Sequence, residues 1–530
     1  MNRRLFAVFA TITNIIALAQ TDIDAMRYSQ TQSYGDARFM AMGGAFGSLG
    51  ANVSCMNFNP AGIAMYRKGE FVFTPGVQFQ TADATHYGTH ATDFSDKLNI
   101  SNIGFVAAWD QQQRSYQPQP NYGGGDGGGR YGPGYGGGGQ QRQQQPQPQN
   151  STPSSHRWAF GIDYNRISDF NYHTTINGYV PASSSIMSSM ANAANGNYPS
   201  NFNPFYEGLG YNTYLINPVN PQTLNYDSTS THYAGENAYT PGMVLQQTKS
   251  IQSSGRTGEL AFALAHSFSD KFYLGGTLGI PIIKYNYQST LTEYDYKNAD
   301  PVFQSLQYQE SIATTGAGIN FKLGGIYRFN SGLKVGLYGQ TASYYKLTDN
   351  YQNTLTANFD SSQYNNSSTS PAGSYTYKLR TPGRAGASVS YVFKKLLAVS
   401  LDGEYVNYSN ARLSDNAGSF DAVNQTIQQK YTGTANIKAG AELNVRPVVF
   451  RVGIASYGSP FGEVLSGKFV RNSFSGGIGF RGAHKAYFDL GFVYTKWNET
   501  YYVIDPLYVN SSNINYATVY ITATLGIKFN

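Results

Sequence analysis

The chain has 530 residues, a formal net charge of +6 and only 13% charged residues, about half the ~25% usual for soluble domains. Its 58 glycines and 44 tyrosines, with 15% aromatics overall, set it apart from both ordinary soluble domains and disordered polymers. A lone cysteine, Cys55, excludes an internal disulfide, a Cys-based zinc site and an iron–sulfur cluster.

Positive charge is spread along the chain, so no nucleic-acid stripe is indicated. The seven histidines show no metal-binding spacing, and no cofactor is expected. Beyond the N-terminus no run of ~18 apolar residues offers a membrane helix.

In chain order, Met1-Asn2-Arg3-Arg4 supplies positive charge and Leu5 to Leu18 a short apolar core. Ala17-Leu18-Ala19 then supplies the small residues of a cleavage site. Residues 1–19 are therefore expected to be an export signal, with the mature start near Gln20. No cysteine follows that site, which speaks against a lipoprotein.

Residues 20–70 do not alternate and are rich in small residues, as in Gly43-Gly44-Ala45-Phe46-Gly47. Placed ahead of a barrel, such a segment is expected to fill the lumen as a hatch, because a wide barrel would otherwise leave an open pore. From residue 71 the pattern changes to period two, one greasy face and one polar face. Fourteen strands are expected at 71–80, 99–109, 157–168, 256–268, 272–286, 312–329, 333–347, 380–394, 396–409, 431–446, 448–457, 471–482, 485–498 and 517–530.

Tight turns such as Ser269-Asp270-Lys271 alternate with long polar segments at 169–255, 287–311, 348–379, 410–430 and 499–516. Short turns on one side and long loops on the other are the outer-membrane arrangement. The tract 111–157, with Tyr122-Gly123-Gly124-Gly125 and Gln143-Gln144-Gln145-Pro146, is expected to be a disordered periplasmic insertion.

Charge placement separates a membrane barrel from a secreted sandwich. Glu259, Lys322, Arg384, Asp402, Glu404, Lys438, Glu442, Arg451 and Asp489 all fall on the polar face, and the other face is nearly charge-free. An all-β, 14-stranded antiparallel transmembrane barrel over 71–530 follows, with ionic side chains in the bore and grease toward outer-membrane lipid. Trp109, Trp497 and strand-end tyrosines are expected in the interfacial girdles. Gly477-x-Gly479-x-x-Gly482 mimics a dinucleotide fingerprint, but it ends a strand with no helix following.

Ala37-Arg38-Phe39-Met40-Ala41-Met42-Gly43-Gly44-Ala45 and Asn59-Pro60-Ala61-Gly62, behind an export signal, resemble the hatch of FadL-type outer-membrane transporters of long-chain fatty acids and other hydrophobic compounds. The version is similar to the form common in Bacteroidota. Thr381-Pro382-Gly383-Arg384 and the strand pair ending in Gly458-Ser459-Pro460 extend the resemblance over the mature chain. The 111–157 insertion and the 169–255 loop depart from it.

The resemblance implies a passive route without chemistry on the cargo. A hydrophobic small molecule is caught by extracellular loops, reaches a pocket above the hatch and leaves sideways through a gap at a kinked third strand. Carried over, the gating residues are Asn59, Pro60 and Ala61 with Gly161 as the bend. Hatch side chains available to an apolar ligand are Phe39, Met42, Phe46, Met56, Phe58 and Met65, with Arg384 as a carboxylate partner. Two rivals stand beside this: a non-transporting barrel serving as subunit or shuttle of a larger outer-membrane complex with protein partners, and a lipolytic barrel enzyme.

Overall fold

The structure, a computed structural model, describes residues 20–110, 156–219, 224–228, 244–462, 469–482 and 485–529. The expected export signal at 1–19, nearly all of the 111–157 tract and part of the 169–255 loop lie outside the described residues.

Alternation along each strand builds a sheet with one apolar and one polar face, and in lipid such a sheet must close to pair its edges. The strands are β1 (Gly69–His86), β2 (Thr89–Asp110), β3 (His156–Asp169, continued by Tyr172–Pro181), β4 (Val244–Phe268), β5 (Phe272–Asp295) and β6 (Phe303–Arg328). There follow β7 (Leu333–Gln340, continued by Tyr344–Phe359), β8 (Gly373–Arg380, continued by Arg384–Phe393), β9 (Leu397–Asn407) and β10 (Gly433–Val445). The last four are β11 (Val448–Tyr457), β12 (Arg471–Arg481), β13 (Ala486–Tyr501) and β14 (Ser512–Phe529). Each is antiparallel to the next, and β14 pairs with β1 from Phe529↔Gly69 to Asn513↔Thr85. The result is a closed 14-stranded barrel.

All nine charged residues expected inside point inward. Glu259, Lys322, Asp402, Lys438, Arg451 and Asp489 are almost fully buried, whereas Leu337, Val452 and Phe474 on the outer wall are more than half exposed.

Two expectations are corrected. Several connections read as long loops are strand: β5 runs on to Asp295 and β6 begins at Phe303, and β1 and β2 meet at a two-residue turn, Tyr87-Gly88. Both turn residues have positive φ, as tight hairpins of the primed type require. Above the lipid both faces are wet, so apolar alternation fades while Thr, Tyr and Asn keep the pleat going. Trp497 is not in a girdle: it pairs with inward Tyr516 and stacks on its ring in the lumen. Trp109 does lie exposed on the outer wall near the end of β2.

Residues 20–68 contain α1 (Asp22–Ser29), α2 (Ala37–Ala41) and two 3-10 turns, Val53–Asn57 and Pro60–Met65. Helix α2 touches β11, β12, β13 and β14, while Pro60–Met65 touches β3 to β6. A segment contacting opposite arcs of a closed ring lies within it. The other mouth carries α3 (Ile186–Ala194) and α4 (Glu207–Asn212). Met187, Met190, Leu209 and Ile216 there pack onto Ile176, Leu245, Leu291, Leu306, Leu355 and Ile514 of the upper lumen. The Glu293 carboxylate accepts from the Ile186 amide at 2.9 Å, fixing the start of α3 to the wall.

Candidate functional site

The hatch is fastened to the β9–β13 wall by charge and close approach. Arg38 of α2 donates from Nε and Nη2 to Glu442 at 2.7 and 3.0 Å. Glu442 also accepts from Arg451 Nε at 2.7 Å, and Arg451 donates on to Asp489 at 2.8 Å. Asp489 is shared with Arg481. Each buried charge thus meets an opposite one, as a low-dielectric lumen demands. Glycine supplies the clearance: a Cβ at Gly453 would lie 2.3 Å from Gly43 N.

The side chains expected to meet a ligand fill the hatch core instead. Phe39 stacks on Phe58 at 4.9 Å and packs on Phe46 at 5.4 Å. Phe39, Met42, Phe46 and Met56 are buried, and Phe58 and Met65 pack against the same cluster. Met65 sulfur lies 3.6 Å from Lys334 Nζ. Arg384 is taken by Glu404 at 3.2 Å and by the Ser29 carbonyl at 2.5 Å.

The Asn59-Pro60-Ala61 turn makes its tightest approaches to the fifth and sixth strands, although Pro60–Met65 also touches β3. Asn59 Oδ1 accepts from the Ala61 amide at 3.2 Å, and its Nδ2 donates to the Gly47 carbonyl at 2.5 Å. Gly275 on β5 and Gly324 on β6 press on Pro60 and Asn59. The hatch residue at the β2–β3 border is Asn57, whose Nδ2 donates to Asp163 at 2.5 Å. Asn102 of β2 donates to the same carboxylate at 2.7 Å.

Just above that contact the β2–β3 ladder stops, and in place of ladder bonds Asp93 of β2 accepts from the Thr175 amide and lies 3.3 Å from His173. β2 and β3 pair only from Asn102↔Asn165 to Asp110↔Arg157. The ladder runs unbroken through Gly161, which faces Met56 at the distance of close packing and is not a bend. The interruption is at Phe170-Asn171, after a register shift between Arg166 and Ser168. Beyond it Tyr172–Pro181 pairs with β4 alone and leans across the lumen, Gly178 touching His86 and Thr174 bonding Tyr516 at 3.2 Å.

The Ile167 carbonyl, unpaired with β2, accepts from the Gln32 amide of the hatch at 2.9 Å, and the Ser168 hydroxyl donates to the Gln30 carbonyl at 2.5 Å. Thr89–Ser101 of β2 are left paired with β1 only, with Leu98 81% exposed at the seam.

A closed 14-stranded barrel, an N-terminal segment inside it and a third strand broken in this manner can be compared with known proteins. No family model matches the sequence, and no curated protein matches it. Among solved structures, a Pseudomonas aeruginosa FadL homologue aligns over 95% of this chain and 100% of its own, with TM-score 0.52 and 12% identity. A mutant of the TodX monoaromatic hydrocarbon channel aligns over 94% and 100%, with TM-score 0.50 and 10% identity. This chain has the FadL-type fold. With its apolar outer wall, it is an outer-membrane barrel.

Sequence reasoning missed three features of this FadL-type barrel: the seam contact Asn57–Asp163, the bend at Phe170-Asn171, and the lumen row containing Trp497. The last was legible. Phe488, Leu490, Phe492 and Tyr494 face out, so odd-numbered neighbours, Trp497 among them, face in.

Proposed function

We propose that the protein is a passive outer-membrane route for hydrophobic compounds, fatty-acid-like molecules among them, which it moves without altering. Cargo enters beneath the α3–α4 cap, rests in the lumen above the hatch and leaves sideways between β2 and β3. The observation that carries this reading is the interrupted ladder above Asn102. The bore is filled by residues 20–68, and at the seam β2 and β3 lose their ladder over Thr89–Ser101. A lateral exit hands an apolar solute to lipid without crossing bulk water, each buried CH₂ being worth ~0.8 kcal/mol.

Cys55 is buried, and burial pushes its thiol up to about 12, so it stays protonated and slow toward maleimides at neutral pH. A cysteine introduced at Leu98→Cys is then the one that labels. A bulky maleimide there should cut uptake of labelled dodecanoate several-fold, whereas the same label at Val452→Cys on the far outer wall should not. Equal effects at both sites, or none at the seam, would reject the lateral route. Unchanged uptake after deletion of the protein would favour the non-transporting subunit.

A further inference from the structure

The charged side chains of β4–β8 are sorted by sign onto opposite faces above the apolar wall. Glu259, Glu293, Asp295 and Asp349 are almost fully buried in the lumen, and Glu310 is held there by Lys249 at 2.8 Å. Arg256, Lys284, Lys346, Lys378 and Arg380 alternate the other way and stand exposed on the outer face. Lys284 follows Ile282 and Lys346 follows Tyr344 by two places, one pleat repeat of about 7 Å along the strand. Ile282 and Tyr344 are exposed, as is Ile319 between them. The cations therefore lie along the upper edge of the lipid-facing surface, on the side of the long loops.

Their pairing is unfavourable by itself. Arg256 lies directly opposite Lys284, and Lys346 directly opposite Lys378; like charges so placed weaken a sheet. Among the described residues none of the five is ion-paired. Arg256 donates to the Tyr164 hydroxyl at 3.0 Å, and Arg380 lies 6.0 Å from the Tyr344 ring centroid. Neither ring supplies a negative charge. Between the two cation pairs β6 presents only Thr315 and Ala317, which face Lys284 and Lys346. That low floor is two strand spacings, about 10 Å, across. The excess is confined to this arc: on the upper β1–β2 hairpin the outer face carries Asp83 and Asp96.

We propose that this arc of the outer wall binds a phosphorylated saccharolipid of the outer leaflet. Its acyl chains lie on Ile282, Ile319 and Tyr344, its sugars cross Thr315 and Ala317, and its phosphates meet the two cation pairs, Arg380 completing the second. Phosphate supplies the counter-charge that relieves each like-charged pair, through charge-assisted hydrogen bonds. A glycerolipid with one phosphate cannot serve two pairs set about 10 Å apart, whereas a sugar headgroup with two phosphates can. The inference rests on the outer-membrane placement of the wall and is independent of the transport reading.

The test is native mass spectrometry of the full-length protein in neutral detergent, titrated with diphosphoryl lipid A, its dephosphorylated form and phosphatidylglycerol. Wild type should hold diphosphoryl lipid A on the order of tenfold more tightly than either comparison lipid. The triple variant Lys346→Gln, Lys378→Gln, Arg380→Gln should weaken diphosphoryl lipid A on the order of a hundredfold, the scale of three cations at an anionic lipid surface. It should leave the dephosphorylated form unchanged. Lys496→Gln, exposed on the outer face of β13, should alter none of the three. Heat-modifiable gel mobility verifies folding. Should the triple variant not fold, the loss of wild-type binding with rising salt gives the same reading. Equal affinity of wild type for diphosphoryl lipid A and either comparison lipid, an equal loss in Lys496→Gln, or binding insensitive to salt overturns the proposal.

Discussion

The hatch meets the barrel wall in two different ways. Against β9–β13 it is held by linked ion pairs, Arg38–Glu442–Arg451–Asp489, and by glycine-width contact at Gly453. Against β2–β3 it is held by neutral amides on one carboxylate, Asn57 and Asn102 on Asp163, directly under a broken ladder. Charged partners buried together are costly to separate, whereas an amide contact yields more readily. The first arc anchors the plug, and the second is where the proposed lateral route runs.

That contrast can be broken most severely at its charged end. Arg451→Leu leaves Glu442 to Arg38 alone and Asp489 to Arg481 alone, breaking the link between the two pairs, and should cost about 3 kcal/mol, the lower end for a disrupted buried ion pair, read as a lower unfolding temperature on semi-native gels and a protease-sensitive hatch. Gly453→Val drives a side chain into the Met42–Gly43 backbone. A loss toward the upper end of the ~1–3 kcal/mol typical of overpacking is expected, with the hatch again exposed to protease.

At the seam, Asn57→Ala should cost about 1.5–2 kcal/mol, the lower end for a hydrogen bond to a carboxylate, yet change uptake more than either anchor variant changes it per unit of stability lost. Hydrogen exchange at 53–57 should rise while exchange across α2 stays constant. The smallest effect belongs to the rim pair Arg67–Asp270, 3.1 Å apart with Arg67 70% exposed. Arg67→Ala should shift stability by no more than ~1 kcal/mol, and a larger shift would show that the periplasmic rim also anchors the hatch.

Strand order, closure and the inward charges were legible because alternation is local: each residue's face is set by its neighbour two places along. The same rule, carried three residues past Tyr494, would have put Trp497 inside. Strand ends were misread where lipid no longer imposes contrast, as at β5 and β6. The candidate site was harder. Phe39, Met42 and Phe46 had the right chemistry for a ligand but spend it on one another. Arg384 had the right charge but is neutralised by Glu404, 20 residues away.

From the order of residues alone came the class of object: a lipid-facing cylinder with ionic side chains turned to its axis and a small-residue segment ahead of it. Tertiary structure decided where the β2–β3 ladder stops and what holds the plug. Those outcomes depend on pairings such as Arg38 with Glu442, 404 residues apart, and on a bend at Phe170-Asn171 beside which Gln32 of the hatch meets the Ile167 carbonyl. Periodicity reports which way a side chain points; only the folded chain determines what stands opposite it.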